Sequence, residues 1–351
     1  MTEADTSATN ASAINNSATN NSAINKTATD SNATGDNWSL AASMAKIKQH
    51  VVGRERELEL ALAAVAAGRD LVLEGPPGTS KTTMLSAITK EWGIPLLFVE
   101  GNADLTPAKL VGHHNPARVL KEDYSPENFV PGPLLEAMQQ GGFLYIEEFN
   151  RAPEDTLNTL LTAMADRSIT VPRMGRVEAL PTFRVVASMN PYDNIGTTRL
   201  SMSVHDRLNR IYIDYQDEPQ EIEIVRLRAG LNDLLKNVAE SEDLAEKITI
   251  DAVAVTRATR EHDFIRQGSS VRGAIDTAMI AGQLIGLRDI KSAPDTEDEI
   301  KEYNELFYDA MIVGLSGRIH IDESVEYTPE QMLREIWEDH FILAPNQTDP
   351  G

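Results

Sequence analysis

The chain has 351 residues, 41% of them hydrophobic, with three Trp, no Cys and a formal charge of −22. That length and apolar content suffice for one large and one small packed domain, and the lack of cysteine excludes disulfides, thiolate metal sites and a cysteine nucleophile. No apolar run approaches the roughly 18 residues of a membrane span, the N-terminus lacks the basic and apolar regions of a secretory signal, and the acidic balance repels a phosphate backbone, so the expectation is a cytoplasmic protein without a membrane or nucleic-acid partner.

Residues 7–36 form three imperfect ten-residue units, SATNASAINN, SATNNSAINK and TATDSNATGD, almost free of large apolar side chains. Such a segment cannot offset its ordering entropy by burial, so 1–37 is expected to be a disordered low-complexity tail. Its Asn-x-Ser/Thr triplets at Asn10, Asn15, Asn20, Asn25 and Asn32 are chance products of an Asn/Ser/Thr-rich repeat. Order is expected from Trp38. Apolar positions from Leu58 through Val65 have helical spacing, Gly68 ends that helix, and Leu71–Leu73 form a short buried strand. A helix over Thr82–Trp92 and a strand over Leu96–Val99 follow. Further strands at Phe143–Ile146, Val185–Ser188 and Ile211–Tyr215, with helices between them, predict a mostly parallel α/β sheet within 38–217. Between them, Ser168–Phe183 reads as a hairpin whose Arg173 and Arg176 could touch a substrate. After Asp217 the pattern turns helical over Pro219–Gly230, Asp251–Glu261 and Ser270–Gly286, which predicts a small helical domain over 218–290. The last stretch, 291–351, holds 15 acidic and four basic residues and reads as an acidic helical extension whose charges face water.

The turn GPPGTSKT lies directly between a predicted strand and a predicted helix, the context a phosphate-binding loop requires. Its glycines let backbone N–H groups converge on phosphate oxygens, and the following helix N-terminus favours negative charge. The expected nucleotide-binding set is Gly75, Pro76, Pro77, Gly78, Thr79, Ser80, Lys81, Thr82 and Thr83, with Lys81 on the β- and γ-phosphates and Thr82 on Mg²⁺. Ser80 stands where the GxxxxGK[ST] pattern has glycine. Some 65 residues on, FLYIEE ends an apolar strand with adjacent acids. Glu147 can hold the metal and Glu148 can polarise the attacking water, a pairing suited to nucleotide hydrolysis. His113 and His114 have no third ligand at metal-site spacing, and neither HExxH nor GxSxG occurs.

The stretch GGFLYIEEFNRAPEDTLNTLLTAM, with Glu147, Glu148, Asn150, Arg151, Ala152 and Pro153, resembles the signature of MoxR-like AAA+ ATPases. GNADLTPAKLVGHHNP and FVPGPLLEAM resemble the insertion that precedes it in that family, and the similarity runs from about His50 to Gly286. The resemblance implies a P-loop AAA+ core with a helical lid, binding ATP and Mg²⁺, and working as a homo-oligomeric ring, a hexamer. It implies that Val52 and Gly53 pack on the adenine, that Asn190 in VVASMNP orients the water with Glu148, and that Arg207 in VHDRL reaches a neighbour's γ-phosphate, with Arg210 and Arg151 as competing candidates. Arg272 in GSSVRGAIDTA matches the sensor of the lid. Members commonly act with a von Willebrand factor A-like partner on a client protein, for instance in metalloenzyme maturation. Two other functions stay open at this point: a nucleic-acid motor or loader, and an ATP-gated scaffold with little turnover.

Overall fold

The computed structural model describes residues 40–115, 128–191 and 202–343, so the expected tail over 1–37 lies outside the described residues. Its contacts fall into two units, one ending at Gly75 and resuming over Lys81–Ile213, the other made of Pro76–Ser80 and the chain from Asp214 onward.

In the first unit, helices α1 (Leu40–Ile47) and α2 (Glu55–Ala66) precede strand β1 (Leu71–Glu74), helix α3 (Lys81–Trp92) and strand β2 (Leu96–Glu100). A short helix α4 (Pro107–Val111), the pair β3 (Gly112–His114) and β4 (Phe129–Pro131), and helix α5 (Pro133–Gln140) lead into β5 (Phe143–Glu147). Helix α6 (Glu154–Asp166), the hairpin β6 (Ser168–Val171) and β7 (Gly175–Glu178), strand β8 (Arg184–Met189), helix α7 (Met202–Arg207) and strand β9 (Asn209–Tyr212) complete it. The five-stranded sheet has the order β2-β5-β8-β1-β9, and every pairing in it is parallel. The predicted parallel α/β core is therefore present, and the hairpin falls within Ser168–Phe183. The last strand starts at Asn209 and ends at Tyr212, earlier than the apolar run Ile211–Tyr215 suggested, because Asn209 and Arg210 pair with Leu71 and Val72 on β1.

Strand side chains alternate between faces, and each face has its own core. Leu71, Leu73, Phe143, Tyr145 and Val186 pack with Ile47, Leu58, Leu62 and Leu85 on one side. Val72, Leu144, Ile146, Val185 and Ala187 pack with Leu134, Leu135, Leu157 and Leu160 on the other. Both faces being covered explains why the strands read as unbroken apolar runs. At the start of β1, buried Asp70 accepts bonds from the Val185 N–H at 2.8 Å and from Arg167 Nη2 at 2.8 Å. Burial, foremost, pushes the Asp70 carboxyl above its usual range although these donors pull it down.

The second unit is helical, as predicted: α8 (Glu218–Ala229), α9 (Leu231–Leu234), α10 (Ser241–Glu261), α11 (Val271–Leu287), α12 (Glu297–Leu315) and α13 (Pro329–Glu338). A small antiparallel pair, β10 (Ile265–Gln267) and β11 (His320–Ile321), is added to it. Helices α12 and α13 supply Leu306, Phe307, Met311, Leu333 and Trp337 to the same core as Ile248, Val253, Ala274 and Ile285. Both begin with reciprocal capping boxes, Thr296 with Glu299 and Thr328 with Gln331, each satisfying two otherwise orphaned N–H groups. Two buried carboxylates tie this unit together. Glu221 takes Arg257 Nη1 at 3.1 Å and Arg260 Nη2 at 2.9 Å, while Arg260 Nε donates to the Ser269 carbonyl at 2.6 Å. Asp251 accepts from Tyr303 Oη at 2.7 Å, Lys247 Nζ at 3.1 Å and lies 3.0 Å from His340 Nε2.

Candidate nucleotide-binding site

In a parallel sheet all strands end on one edge, and ligand residues follow those ends. The register makes β1, β8 and β5 neighbours, with Glu74 opposite Met189 and Ile146 opposite Ala187. The residues just beyond, Gly75, Asn190 and the pair Glu147 and Glu148, therefore share that edge of the first unit. The loop leaves the sheet under tight constraint. Gly75 donates its N–H to the Met189 carbonyl at 3.1 Å, and a side chain there would overlap the Ile213 carbonyl oxygen. Lys81 Nζ folds back onto the Gly75 carbonyl at 2.8 Å. Thr82 and Thr83 form the first turn of α3 with Thr82 half-buried and Thr83 exposed, and Thr82 Oγ1 lies 3.3 Å from Tyr145 Oη.

The turn Pro76–Ser80 groups with the second unit. Thr79 Oγ1 donates to the Pro76 carbonyl at 2.9 Å, and Gly78 has φ 75°. A Cβ on Gly78 would overlap the Ser270 hydroxyl and stand 3.7 Å from Arg272 Cδ. Ser270 caps α11 by accepting the Arg272 N–H at 3.4 Å. Ser80 has φ 64°: the non-glycine residue adopts the left-handed conformation that glycine gives freely, at a cost of about 1–2 kcal/mol.

Glu147 is the last residue of β5, and Glu148 turns sharply with φ 52°. Both are half-buried. Glu148 forms an ion pair with Arg151 at 3.2 Å. Asn190 follows β8 and is half-buried. Val52 and Gly53 lie in the turn before α2, where Gly53 has φ 64° and the buried Arg54 pairs with Glu57 at 3.1 Å.

The three arginine candidates differ in setting. Arg151 pairs with Glu148, and Arg210 pairs with Glu74. Arg207 is exposed at the end of α7, donates to its own helix at the Ser203 carbonyl at 3.1 Å, and makes no ion pair among the described residues. It precedes Asn209, which pairs with Leu71 at the start of β1, so Arg207 lies toward the opposite end of β1 from Gly75. The four residues of β1 span about 13 Å, beyond a guanidinium's reach.

The donor set fits a nucleotide with a hard dication. Lys81 and Thr82 follow the loop that leaves the sheet at Gly75, a position with no room for a side chain, and Glu147 ends β5 at the same edge; an ammonium, a hydroxyl and a carboxylate are the donor types such a ligand takes. Two further residues near this edge belong to no motif. Gly101 follows β2 and donates its N–H to the Glu147 carbonyl at 2.7 Å, and its Cα packs so closely on the Glu147–Glu148 backbone that a methyl would overlap the Glu148 carbonyl oxygen. Tyr145 lies within the strand itself. The only signal for Gly101 was a glycine directly after an apolar strand, which is common; for Tyr145 it was a phenol in an otherwise hydrocarbon run.

Residues 70–208 match the AAA domain family (dynein-related subfamily). Protein NorQ of Paracoccus denitrificans is 31% identical over 251 residues, 67% of this chain and 90% of that protein. The gas vesicle ATPase GvpN1 of Halobacterium salinarum is 27% identical over 272 residues, 71% of this chain and 76% of the relative. Among solved structures, a point mutant of Thermotoga maritima RuvB overlays with a TM-score of 0.48 at 19% identity, over 76% of this chain and 74% of that one, below the level that shows a shared fold. With the domain match spanning the phosphate loop, the paired acids and Arg207, and a relative covered almost end to end, the chain belongs to the MoxR-like group of AAA+ ATPases.

Proposed function

We propose that the chain is a Mg²⁺-dependent ATPase that works in the cytoplasm as a homo-oligomeric ring, a hexamer, and couples hydrolysis to remodelling or maturing a client protein, with a von Willebrand factor A-like protein as partner. In this reading Lys81 exchanges the Gly75 carbonyl for the β- and γ-phosphates, and Val52 and Gly53 flank the adenine. Thr82 and Glu147 hold Mg²⁺, which when bound neutralises developing phosphate charge. Glu148 accepts the proton of the attacking water while Asn190 orients that water. Arg272 reads the γ-phosphate from α11, so that hydrolysis changes what α11 contacts.

The observation that carries the ring is Arg207's position toward the end of β1 opposite Gly75. An arginine finger in that place serves a neighbour's nucleotide, and such fingers contribute about 10³ to 10⁵ in rate. A second reading, a nucleotide-gated scaffold with slow turnover, is favoured by the Glu148–Arg151 pair, which occupies the proposed base. Complementation distinguishes them. Glu148→Gln is expected to bind ATP without hydrolysing it, and Arg207→Ala to be inactive alone. Mixed together they should regain activity, since an Arg207→Ala subunit keeps its base and a Glu148→Gln neighbour supplies the finger. Mixed rings that stay inactive beside an active wild type would sink the trans assignment. A wild type that binds Mg²⁺-ATP but does not turn over would favour the scaffold, and stimulation by DNA would favour a nucleic-acid motor.

A further inference from the structure

Three hydroxyls of the first unit form a chain that starts in the first turn of α3. Tyr145, at the middle of β5 and fully buried, has its Oη 3.3 Å from Thr82 Oγ1 and 3.0 Å from Ser188 Oγ. Its ring packs edge-on against Phe98 at 5.6 Å. Packing alone would be met by phenylalanine, and a buried phenol costs stability unless its hydrogen is placed. Ser188 lies one strand away, two residues before Asn190, and is itself buried.

Each hydroxyl has one hydrogen to give; Tyr145 Oη gives its own to Ser188 Oγ, so toward Thr82, where the geometry admits either donor, it acts as acceptor. A threonine that binds a cation does so through an oxygen lone pair, and its hydrogen must then point away from the metal to an acceptor. Tyr145 Oη lies where that acceptor is needed, and once it accepts, its own hydrogen goes on to Ser188 Oγ. The direction set by the Tyr145–Ser188 bond is therefore the one that cation binding by Thr82 requires. We propose that Tyr145, backed by Ser188, is a positioning residue for the divalent cation, holding the Thr82 hydroxyl with its lone pair outward and its hydrogen inward. The proposal rests on Thr82 being a cation ligand. It assigns to the hydroxyl of one buried strand residue the tuning role that outer partners of metal ligands have elsewhere.

The test uses the full chain with a non-hydrolysable ATP analogue and Mn²⁺ as probe, read by electron paramagnetic resonance. Tyr145→Phe is expected to weaken Mn²⁺ affinity about tenfold while nucleotide affinity measured in EDTA stays at the wild-type value. Ser188→Ala should weaken Mn²⁺ in the same direction by less, and the double variant should be no worse than Tyr145→Phe, because both cut one chain. Wild-type Mn²⁺ affinity in Tyr145→Phe, or an equal loss of nucleotide affinity in EDTA, would overturn the proposal. If Tyr145→Phe fails to fold, Ser188→Ala carries the test, and an unchanged Mn²⁺ affinity there overturns it. Thr82→Ala run alongside separates the two levels: wild-type Mn²⁺ affinity in that variant removes the underlying ligand assignment whatever Tyr145→Phe does.

Discussion

Asp70 offers a sharp test of what a buried carboxylate contributes to this sheet. Its oxygens hold the Val185 N–H and the Arg167 fork, joining the starts of β1 and β8, yet burial is the largest influence on its pKa and raises it. The surroundings thus need an acceptor more than a charge. Asp70→Asn keeps a carbonyl oxygen for Val185 and removes the ionic cost but turns an amide N–H₂ toward Arg167 Nη2, so its loss of stability is expected to be about 1 kcal/mol. Asp70→Ala orphans a buried N–H, at about 1–3 kcal/mol, and removes an acceptor from Arg167. That guanidinium is 35% exposed and keeps the Phe183 carbonyl at 3.2 Å, so it adds only about 1 kcal/mol. The total is about 2–4 kcal/mol. For a unit of this size each kcal/mol moves Tm by about 2–4 °C, which places Asp70→Ala about 5–15 °C below wild type and Asp70→Asn within about 4 °C. The acid dependence follows from the sign of the shift. A carboxyl that titrates higher when folded binds its proton more tightly in the native state, so wild type gains stability as pH falls from that raised value toward about 3.9. Asp70→Asn has no such gain, and its deficit should grow over the same window. Calorimetric melts at neutral and mildly acidic pH read both effects. Equal losses for the two variants, or a deficit that shrinks on acidification, would refute the reasoning. Nucleotide affinity at 25 °C should be unchanged in both, because Asp70 is at the end of β1 remote from Gly75.

Gly101→Ala should push on the Glu147–Glu148 backbone and lower kcat by about tenfold to a hundredfold with little change in nucleotide affinity; unaltered single-turnover rates would contradict the close approach. Glu221→Ala leaves Arg257 and Arg260 without their buried carboxylate and is expected to cost about 3–5 kcal/mol in chemical denaturation, whereas a loss under 1 kcal/mol would show the pair to be idle. At Asp251, burial raises the carboxyl, but the His340 bond, Lys247 and the Tyr303 hydroxyl together hold it below its usual range. Its contribution is therefore present above about pH 3.9 and lost as pH falls through the lowered folded value, so acid unfolding of wild type should be steeper there than that of Asp251→Asn; parallel curves would contradict it.

The parallel sheet was legible because both faces of every central strand are covered, so Leu71–Leu73, Phe143–Ile146 and Val185–Ser188 appear as short, largely apolar runs. The turn after β1 was equally plain, since glycine spacing and the strand-to-helix context report backbone requirements directly. Less visible was the role of α12. Its net acidity suggested a solvated extension, but the acids Glu297, Asp298, Glu302 and Glu305 share the helix with Tyr303, Leu306, Phe307, Ala310 and Met311, which are buried in the core of the second unit; composition averages over faces that helical periodicity separates. The Tyr145 hydroxyl and the Gly101 approach were invisible because each depends on a neighbour 43 or more residues away in the chain, and no local pattern encodes such a partner.

The central place of β8 bears on how the protein reaches its native state. β8 joins β5 to β1, and the Val185 bond to Asp70 closes a loop of 115 residues, an entropic cost met before most of the sheet's contacts form. Until β8 inserts, the acids after β5 and the loop after β1 have no shared frame, and the chain has the motifs without the site. Nucleotide should therefore act as a folding ligand, binding only chains that have completed this insertion and stabilising them by mass action, by about 2.7 kcal/mol at a hundredfold excess over Kd. Refolding yield would then depend on ATP concentration in the same range that saturates the mature enzyme.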